Sequence, residues 1–346
     1  MAMADVTVRG AGIFGLSIAW RCVQIGARVQ IIDPFGAGAG SSGGLVGALA
    51  PHVPENWNPK KAFQLDSLLM AERFWHEVEA VGGTSAGYGR TGRLQPIQDA
   101  RTLELAHARA TSAKALWQDH ATWSVIPVTE VGDWAPPSAT GYLIHDTLSA
   151  RMFPRRAGAA LVAALAAKGV AVSPDGDDQG NVVHATGYLG LQALSEDLEK
   201  PVGNGVKGQS LLLDFDAHDK PQLYADSLHI IPHADGTTAI GSTSERAFDD
   251  PASTDAQLDD IHARAIAAMP QLATARVLER WAGVRPRAKT RAPMIGPWPD
   301  RAGHFVANGG FKIGFGMAPK IADVMADLIL NSHDTIPQGF RVTDNL

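Results

Sequence analysis

A glycine motif near the N-terminus of this chain is suited to binding a pyrophosphate. The motif is Gly10-Ala11-Gly12-Ile13-Phe14-Gly15, and Asp33 follows it. In this spacing the first glycine permits a tight turn, the second lets the backbone approach the phosphates, and the third lets a helix pack closely on a strand. An acid about twenty residues further on can accept hydrogen bonds from an adenosine ribose. The motif and Asp33 together predict a dinucleotide-binding site.

Three residues of the C-terminal half could bind a substrate. Arg285 lies in a segment whose glycine and proline restrict the backbone, and its planar guanidinium suits two-point recognition of a carboxylate. Lys312 has apolar neighbours on both sides, where an unpaired charge would be costly if buried. His229 lies in a β-rich run and could contact a substrate or pack within a sheet. The alternative for Arg285 is an ordinary ion pair, and for Lys312 it is a solvated turn.

A loop rich in glycine and serine follows Asp33 and could supply further cofactor contacts. The loop begins at Pro34, carries Ser41 and Ser42, and leads into Gly47-Ala48-Leu49. So much glycine is unsuited to the interior of a helix or strand, whereas backbone N–H groups and hydroxyls in such a loop can bind an anion. We therefore expect this loop to lie beside the glycine motif.

The elements that position these residues follow from the hydrophobic pattern. A β-branched run at 6–8, an apolar helix and a second strand at 28–32 predict a βαβ unit around the glycine motif. The other predicted helices are 61–81, 101–119, 157–168, 255–269 and 318–330. The other main predicted strands are a buried one at 181–187 and three antiparallel ones at 210–215, 228–232 and 237–242.

Composition and charge limit the class of protein. The 346 residues are 45% hydrophobic and 19% charged, so the chain can bury a sizeable core in one large or two interleaved domains. A net charge of −6 argues against a general nucleic-acid surface. The single cysteine, Cys22, excludes an internal disulfide, and the histidines show no ligand spacing, so we predict no metal site. Because we find neither a signal-peptide pattern nor an apolar run of roughly 18 residues, we predict a cytoplasmic protein without an integral membrane segment.

Four separated segments match a pattern shared within one enzyme family. The first is the glycine motif with its serine loop. The others are Ala185-Thr186-Gly187, Lys207-Gly208-Gln209 and, most specifically, Trp281-Ala282-Gly283-Val284-Arg285-Pro286 continuing to Asn308-Gly309-Gly310-Phe311-Lys312-Ile313-Gly314. Over nearly its full length the chain resembles the FAD-dependent D-amino acid oxidase, glycine oxidase and sarcosine oxidase (DAO) family. The glycine motif alone does not separate FAD from NAD, whereas the two late segments favour FAD.

The resemblance implies an α/β fold with two interleaved domains. A Rossmann-like FAD-binding domain would comprise residues 1–85, 140–205 and 280–346, and an α+β substrate domain with an antiparallel sheet would comprise 86–139 and 206–279. FAD would be non-covalent, because Cys22 is too early to match the cysteine that attaches flavin in sarcosine oxidases. The residues expected to contact FAD are Gly10, Gly12, Ile13, Phe14, Gly15, Asp33, Pro34, Ser41, Ser42, Gly47, Ala48, Leu49, Ala185, Thr186, Gly187, Gly283, Arg285, Gly309, Gly310, Phe311, Lys312, Ile313 and Gly314.

The same resemblance implies an activity. The enzyme would oxidise the C–N bond of a small amino acid or N-substituted glycine to an imine by hydride transfer to the flavin N5. Arg285 would bind the substrate carboxylate, Lys312 would assist it or contact a pyrimidine oxygen of the flavin, and His229 would lie near the substrate. Oxygen or a quinone would reoxidise the flavin. A loop containing Gly309, Gly310, Gly314 and Gly316 would lie against the flavin and lead to helix 318–330, whose positive end would face the flavin O2.

Departures from the family pattern leave the substrate open. The segment between 172 and 182 is too short for the strands that usually cross there, and His229 stands where glycine oxidases commonly carry a tyrosine. Residues 47–51 resemble a loop in the oxidase domain of the bifunctional enzyme that modifies the wobble uridine of tRNA. One alternative is therefore an oxidase for a carboxymethylamino group on a larger substrate such as modified tRNA. Another is a flavoprotein subunit that needs a partner.

Overall fold

The computed structural model describes residues 3–346. The helices are α1 (Ile13–Gln24), α2 (Pro59–Gly82), α3 (Ala100–Trp117), α4 (Pro154–Ala167), α5 (Gly187–Asp197), α6 (Gln257–Ala268) and α7 (Gly314–Asn331). The strands are β1 (Val6–Arg9), β2 (Val29–Ile32), β3 (Gly47–Leu49), β4 (Arg93–Pro96), β5 (Trp123–Pro127), β6 (Tyr142–Asp146), β7 (Ala150–Met152), β8 (Val172–Ser173), β9 (Asn181–His184), β10 (Gly203–Asp214), β11 (Gln222–Ala225), β12 (Leu228–Pro232), β13 (Thr238–Gly241), β14 (Arg276–Ala288), β15 (Met294–Pro297) and β16 (His304–Asn308). Across these residues no helix is both long and apolar enough to cross a membrane.

A six-stranded sheet in the order β15-β16-β9-β1-β2-β8 contains the predicted βαβ unit. Strand β1 pairs in parallel with both β2 and β9, and only the pair of β15 with β16 is antiparallel. Helices α1, α2, α4 and α7 pack on one another and enclose the larger core, in which Trp20 and Trp75 are 1% exposed. The carboxyl ends of β1 and β9 meet at one edge of this sheet, where a dinucleotide binds in folds of this kind.

An eight-stranded sheet has the order β14-β10-β13-β12-β11-β4-β6-β5. All its pairs are antiparallel except the parallel pair of β4 with β11. Strands β10 and β14 run side by side from Gly203 opposite Ala288 to Asp214 opposite Arg276. Helix α6 packs on the sheet and completes a second core with its Leu258, Ile261 and Ala265. The long pairing matters for the site because Arg285 lies on β14.

The predicted fold class is confirmed, because an α/β part with a Rossmann-like parallel sheet is joined to a part built on a mainly antiparallel sheet. The division into two domains stays a proposal. Strands β6 and β14 pair entirely within the eight-stranded sheet, so the proposed boundaries at 140 and 280 would move beyond Asp146 and Ala288.

Some element boundaries differ from the prediction, for reasons of packing. Helix α7 begins at Gly314 and not at 318, so Gly314 and Gly316 belong to the helix and not to a loop. A Cβ on Gly316 would lie 3.3 Å from Leu68 of α2, so the glycines allow α7 to approach its neighbours closely. Strand β9 ends at His184 and not at 187, and helix α5 begins at Gly187. Residues 174–180, which the structure describes, contain no strand, in keeping with the short segment.

A buried histidine should make the stability of the fold depend on pH. His233 is 1% exposed, its ring stacks on Phe153 with centroids 4.2 Å apart, and its Nε2 lies 3.1 Å from the carbonyl oxygen of Leu45. Burial lowers the pKa of His233 from 6.5 to about 4. The unfolded chain therefore takes up a proton below pH 6.5 that the folded chain does not hold. This group should remove about 1.4 kcal/mol of stability for each pH unit between those two pKa values.

We expect the unfolding temperature to fall as the pH is lowered from about 7 to about 4.5, and to fall less steeply in the His233→Gln variant. Scanning calorimetry at several pH values measures both slopes. Part of the slope should remain in the variant, because burial also lowers the pKa values of His184 and His229. Equal slopes in the two proteins would contradict the assignment to His233.

Candidate active site

A cavity of about 830 Å³ is lined by residues from both large sheets. Its walls come from the turn between β1 and α1, the loop at 39–48, the segment 185–189, strand β14 and the segment leading into α7. These parts are distant in sequence, and together with Gly208 of β10, which also lines the cavity, they include a part of each segment that carries the family resemblance.

The glycine turn has the geometry that its motif predicts. Gly10 has a φ of +105°, and a Cβ on it would lie 2.3 Å from the carbonyl oxygen of Ala185. A Cβ on Gly15 would lie 1.9 Å from the carbonyl oxygen of Gly10, so a side chain there would push α1 away from β1. Gly12 is the N-cap of α1 and supplies no side-chain cap. The first turn of α1 therefore presents backbone N–H groups to the cavity.

Asp33 organises this turn from the end of β2. Its Oδ2 accepts the backbone N–H of Ala11 at 2.7 Å, and its Oδ1 accepts that of Phe35 at 2.9 Å. Ser42 from the serine loop accepts the backbone N–H of Ile13 at 2.9 Å. Asp33 and Ser42 both line the cavity. Asp33 thus holds the turn in shape, and its predicted contact with a ribose stays a prediction.

Arg285 extends from β14 across β10 to reach the cavity. Its Nη1 donates to Ser242 Oγ at 2.8 Å, and its Nη2 donates to the carbonyl oxygens of Thr243 at 2.7 Å and Lys207 at 3.3 Å. Its Nε is buried with no partner in the described part of the chain. Burial lowers the pKa of Arg285 to about 10, although Glu245 opposes this, so the guanidinium is charged at neutral pH. The Nε hydrogen and one Nη1 hydrogen have no acceptor among the described residues.

Lys312 lines the same cavity, and the residue is exposed despite its apolar neighbours in the sequence. Its Nζ lies 5.7 Å from the ring centroid of Phe311, and Cζ of Arg285 lies 5.8 Å from that centroid. Desolvation, and then the charge of Arg285, lower the pKa of Lys312. The two cations therefore influence one another within one cavity.

His229 faces the cavity from β12, beside Tyr224 of β11. The two residues are direct cross-strand partners, with ring centroids 4.7 Å apart. Desolvation and the charges of Arg93 and Lys312 lower the pKa of His229 to about 3, so the ring is neutral at physiological pH. Its Nδ1 is buried without a hydrogen-bond partner among residues 3–346.

Most of the predicted site residues line the cavity. They are His229, Gly10, Gly12, Ile13, Phe14, Asp33, Pro34, Ser41, Ser42, Gly47, Ala48, Ala185, Thr186, Gly187, Gly283, Arg285, Gly309, Gly310, Phe311, Lys312 and Gly314. Three predicted residues lie elsewhere. Gly15 packs α1 against β1, Leu49 is 1% exposed in the core, and Ile313 is the N-cap of α7 and packs on that core.

The lining also includes residues that the sequence reasoning missed, among them Tyr188, Tyr224, Ser242 and Trp281. A signal for Tyr224 exists in the sequence. Asp226 and Ser227 form a two-residue turn with φ values of +48° and +61°, and such a turn pairs the tyrosine with His229. Ser242 has no such signal, because its hydrogen bond to Arg285 joins residues 43 positions apart.

Comparison with known proteins decides the class. Residues 5–328 match the family model described as DAO, FAD dependent oxidoreductase. The chain belongs to this family. The DAO-family chain is 27% identical to the glycine oxidase of Pseudomonas aeruginosa over 94% of each sequence. Its fold is similar to that of the glycine oxidase from Geobacillus kaustophilus, with a TM-score of 0.86 at 20% identity over 98% of both chains. It is also similar to that of the iminodiacetate oxidase from Chelativorans sp. BNC1, with a TM-score of 0.85 at 21% identity over 97% and 98% of the chains.

The cavity of this DAO-family protein fits the FAD that the family uses. The turn at Gly10 and Gly12 and the start of α1, where the N-cap Gly12 has no side chain, suit a pyrophosphate. At the other end, a Cβ on Gly310 would lie 2.7 Å from the ring of Phe14, so the glycine keeps a narrow space open. Ser210, His229 and Arg285 line this cavity, and each has a buried polar atom without a partner in residues 3–346. Such atoms indicate a polar ligand.

Asp33 should be required for tight FAD binding. The Asp33→Ala variant loses the acceptor for the backbone N–H groups of Ala11 and Phe35, so the phosphate-binding turn should lose its shape. We expect the Kd for FAD to rise about tenfold or more. Titration of the apoprotein with FAD, followed by flavin fluorescence, measures the change. An unchanged Kd would show that the turn holds its shape without this carboxylate.

Proposed function

We propose that this chain oxidises the C–N bond of a small amino acid or an N-substituted glycine to an imine, with FAD held non-covalently. Arg285 carries the proposal. It is a charged guanidinium in the FAD-sized cavity, with free N–H groups and no carboxylate within ion-pair distance in the described part of the chain. Burial of Cys22 in the core, which raises the pKa of its thiol to about 12, supports a non-covalent cofactor.

Arg285 would bind the substrate carboxylate and so orient the amine and its α-carbon. Ser242 and the carbonyl oxygens of Thr243 and Lys207 hold the guanidinium in place before substrate arrives. Such preorganisation lowers the entropy lost when substrate and cofactor are brought into a reactive geometry. Lys312 would assist binding, since its charge lies in the same cavity.

The positive charges would also favour the reactive form of the substrate. A cation near the amine lowers its pKa, and the free amine is the form whose lone pair can become part of a C=N bond. Bound FAD supplies the oxidising chemistry, by accepting the α-hydrogen with its electron pair from the substrate carbon. The amine proton leaves to solvent, and water then hydrolyses the released imine. The first turn of α7 lines the cavity at Gly314 and Phe315, where its positive end stabilises negative charge.

The visible spectrum of the purified protein tests the proposal. We expect flavin bands that bleach when glycine, sarcosine, proline or a D-amino acid is added without oxygen. Readmission of air then distinguishes oxygen from a quinone as the acceptor. Flavin released by acid precipitation would support non-covalent binding. Failure of every such amine to bleach the flavin would count against the proposal and favour the alternatives, a carboxymethylamino group on modified tRNA or a subunit that needs a partner.

A further inference from the structure

The cavity contains a polar cluster that a single substrate carboxylate on Arg285 leaves without a partner. Tyr224 and His229 lie side by side on neighbouring strands and both line the cavity. The Nδ1 of His229 is buried and unpaired among residues 3–346. A neutral histidine donates one hydrogen bond from whichever ring nitrogen carries the proton, and the tyrosine hydroxyl can donate another. The pair is therefore suited to an acceptor group carried by a ligand.

Lys312 adds a positive charge to this cluster. After desolvation and the charge of Arg93, the charge of Lys312 also lowers the pKa of His229, and desolvation and then Arg285 lower the pKa of Lys312 itself. Nζ of Lys312 and Cζ of Arg285 lie 5.7 Å and 5.8 Å from the ring centroid of Phe311, and both residues line the cavity together with His229 and Tyr224.

The charges that line the cavity are unbalanced at this end. In the described residues the lining contains one carboxylate, Asp33, which belongs to the glycine turn. Arg9 is paired with Asp178 at 2.7 Å. Glu245, the acid that influences Arg285, does not line the cavity and lies 3.8 Å from Lys207. Arg285 and Lys312 thus line the cavity with no carboxylate of the described lining to pair with them.

A substrate with one carboxylate leaves one cation and the hydrogen-bond donors at this end of the cavity without a partner. Its carboxylate neutralises one cation, while its amine adds a positive charge whenever it is protonated. A second carboxylate would neutralise the second cation and accept the free donors of the tyrosine and histidine. Hydrogen bonds to charged groups are stronger than those between neutral groups, so the difference in affinity should be large.

We propose that Lys312, His229 and Tyr224 form a second anion subsite, and that the substrate is an amine that carries two carboxylates, one on Arg285 and one on this subsite. The inference rests on the proposed function and narrows its substrate class. The two carboxylates belong to groups on either side of the amine, as in iminodiacetate, or on either side of the α-carbon, as in an amino dicarboxylic acid.

Two achiral substrates provide a matched test. Iminodiacetate and sarcosine share the amine and the carboxymethyl group and differ by one carboxylate. With the FAD-loaded enzyme we expect kcat/KM to be about tenfold or more higher for iminodiacetate. A ratio near one, or a preference for sarcosine, would overturn the second subsite and leave the proposed function standing. If neither these compounds nor any other small amine bleaches the flavin, the proposed function and the subsite both fail.

Non-reacting analogues separate binding from turnover. Glutarate has the shape of iminodiacetate without the amine, and butyrate has the shape of sarcosine. We expect glutarate to perturb the flavin spectrum of the holoenzyme at a concentration about tenfold lower than butyrate does. Equal concentrations for the two acids would contradict the subsite whatever the turnover rates are.

Variants then assign the effect to the subsite. Tyr224→Phe removes one hydroxyl, and Lys312→Met removes one charge; each should lower the ratio of kcat/KM for iminodiacetate to that for sarcosine about tenfold. Lys320→Met is the matched control, because this lysine lies in α7 near Asp66 and does not line the cavity. The ratio of the two kcat/KM values in this variant should equal that of the wild type. A purely structural role of Tyr224 and Lys312 would reduce both substrates equally and leave the ratio unchanged, which would overturn the assignment.

Discussion

Replacing Arg285 by alanine is expected to lower kcat/KM by about a hundredfold, chiefly through a higher KM, while FAD remains bound. The variant loses the buried guanidinium that would meet the substrate carboxylate, and truncation of one partner of a buried, hydrogen-bonded charge pair costs about 2 to 5 kcal/mol. The acceptors left behind on Ser242, Thr243 and Lys207 are a hydroxyl and two carbonyls. Steady-state kinetics and the flavin content of the purified variant measure the two effects.

Arg287→Ala is the matched control for this variant. Arg287 lies two residues further along β14, and its Cζ lies 5.7 Å from the ring centroid of Phe311, much as Arg285 does. It does not line the cavity. Its removal should therefore change kcat/KM far less. Unchanged kinetics in Arg285→Ala, or equal losses in both variants, would refute a specific role of Arg285 in carboxylate binding.

The Gly208→Ala variant is expected to lose most of its substrate binding although residue 208 offers no functional group. A Cβ on Gly208 would lie 1.6 Å from Nη2 of Arg285 and 2.3 Å from its Cζ. The guanidinium is the flexible end of a side chain, so it can move aside and the fold should survive. Once moved, it can no longer donate to Thr243 and Lys207 as it does now. We expect kcat/KM to fall about tenfold to a hundredfold, because a small misplacement of a substrate-binding group has effects of this size.

Gly158→Ala is the control for an added methyl group. Gly158 lies within α4, and a Cβ there would have no heavy atom within 4 Å. Alanine should stabilise this helix by about 0.5 to 1 kcal/mol and leave the kinetics unchanged. Thermal unfolding and kinetics of the two variants together separate stability from site geometry. If Gly208→Ala keeps wild-type kinetics, then the position of Arg285 across β10 is not needed for binding.

The parts of the site that could be predicted are those whose geometry depends on residues close together in the sequence. The glycine turn at Gly10 and Gly15 depends on close approaches that follow from the spacing alone, and the structure contains both. The fold class could be predicted because the βαβ unit and the strand-rich middle of the chain each have a hydrophobic period. Lys312 lines the cavity, and its exposure could not be predicted, because local apolar neighbours do not determine how open a cavity is.

The sequence by itself was therefore enough to predict the fold class and a dinucleotide-binding motif, and its resemblance to the family favoured FAD. The roles of Arg285 and Lys312 towards a carboxylate stay predictions. The contacts that hold those residues and the space around them were decided only by the tertiary structure. Arg285 is held by a carbonyl 78 positions away on β10 and by a serine 43 positions away, and the space for it depends on Gly208. The imbalance of charge around Lys312 and the pairing of Tyr224 with His229 likewise arise from strand pairing. Contacts between residues so distant in the chain depend on register and side-chain direction, which local patterns do not encode.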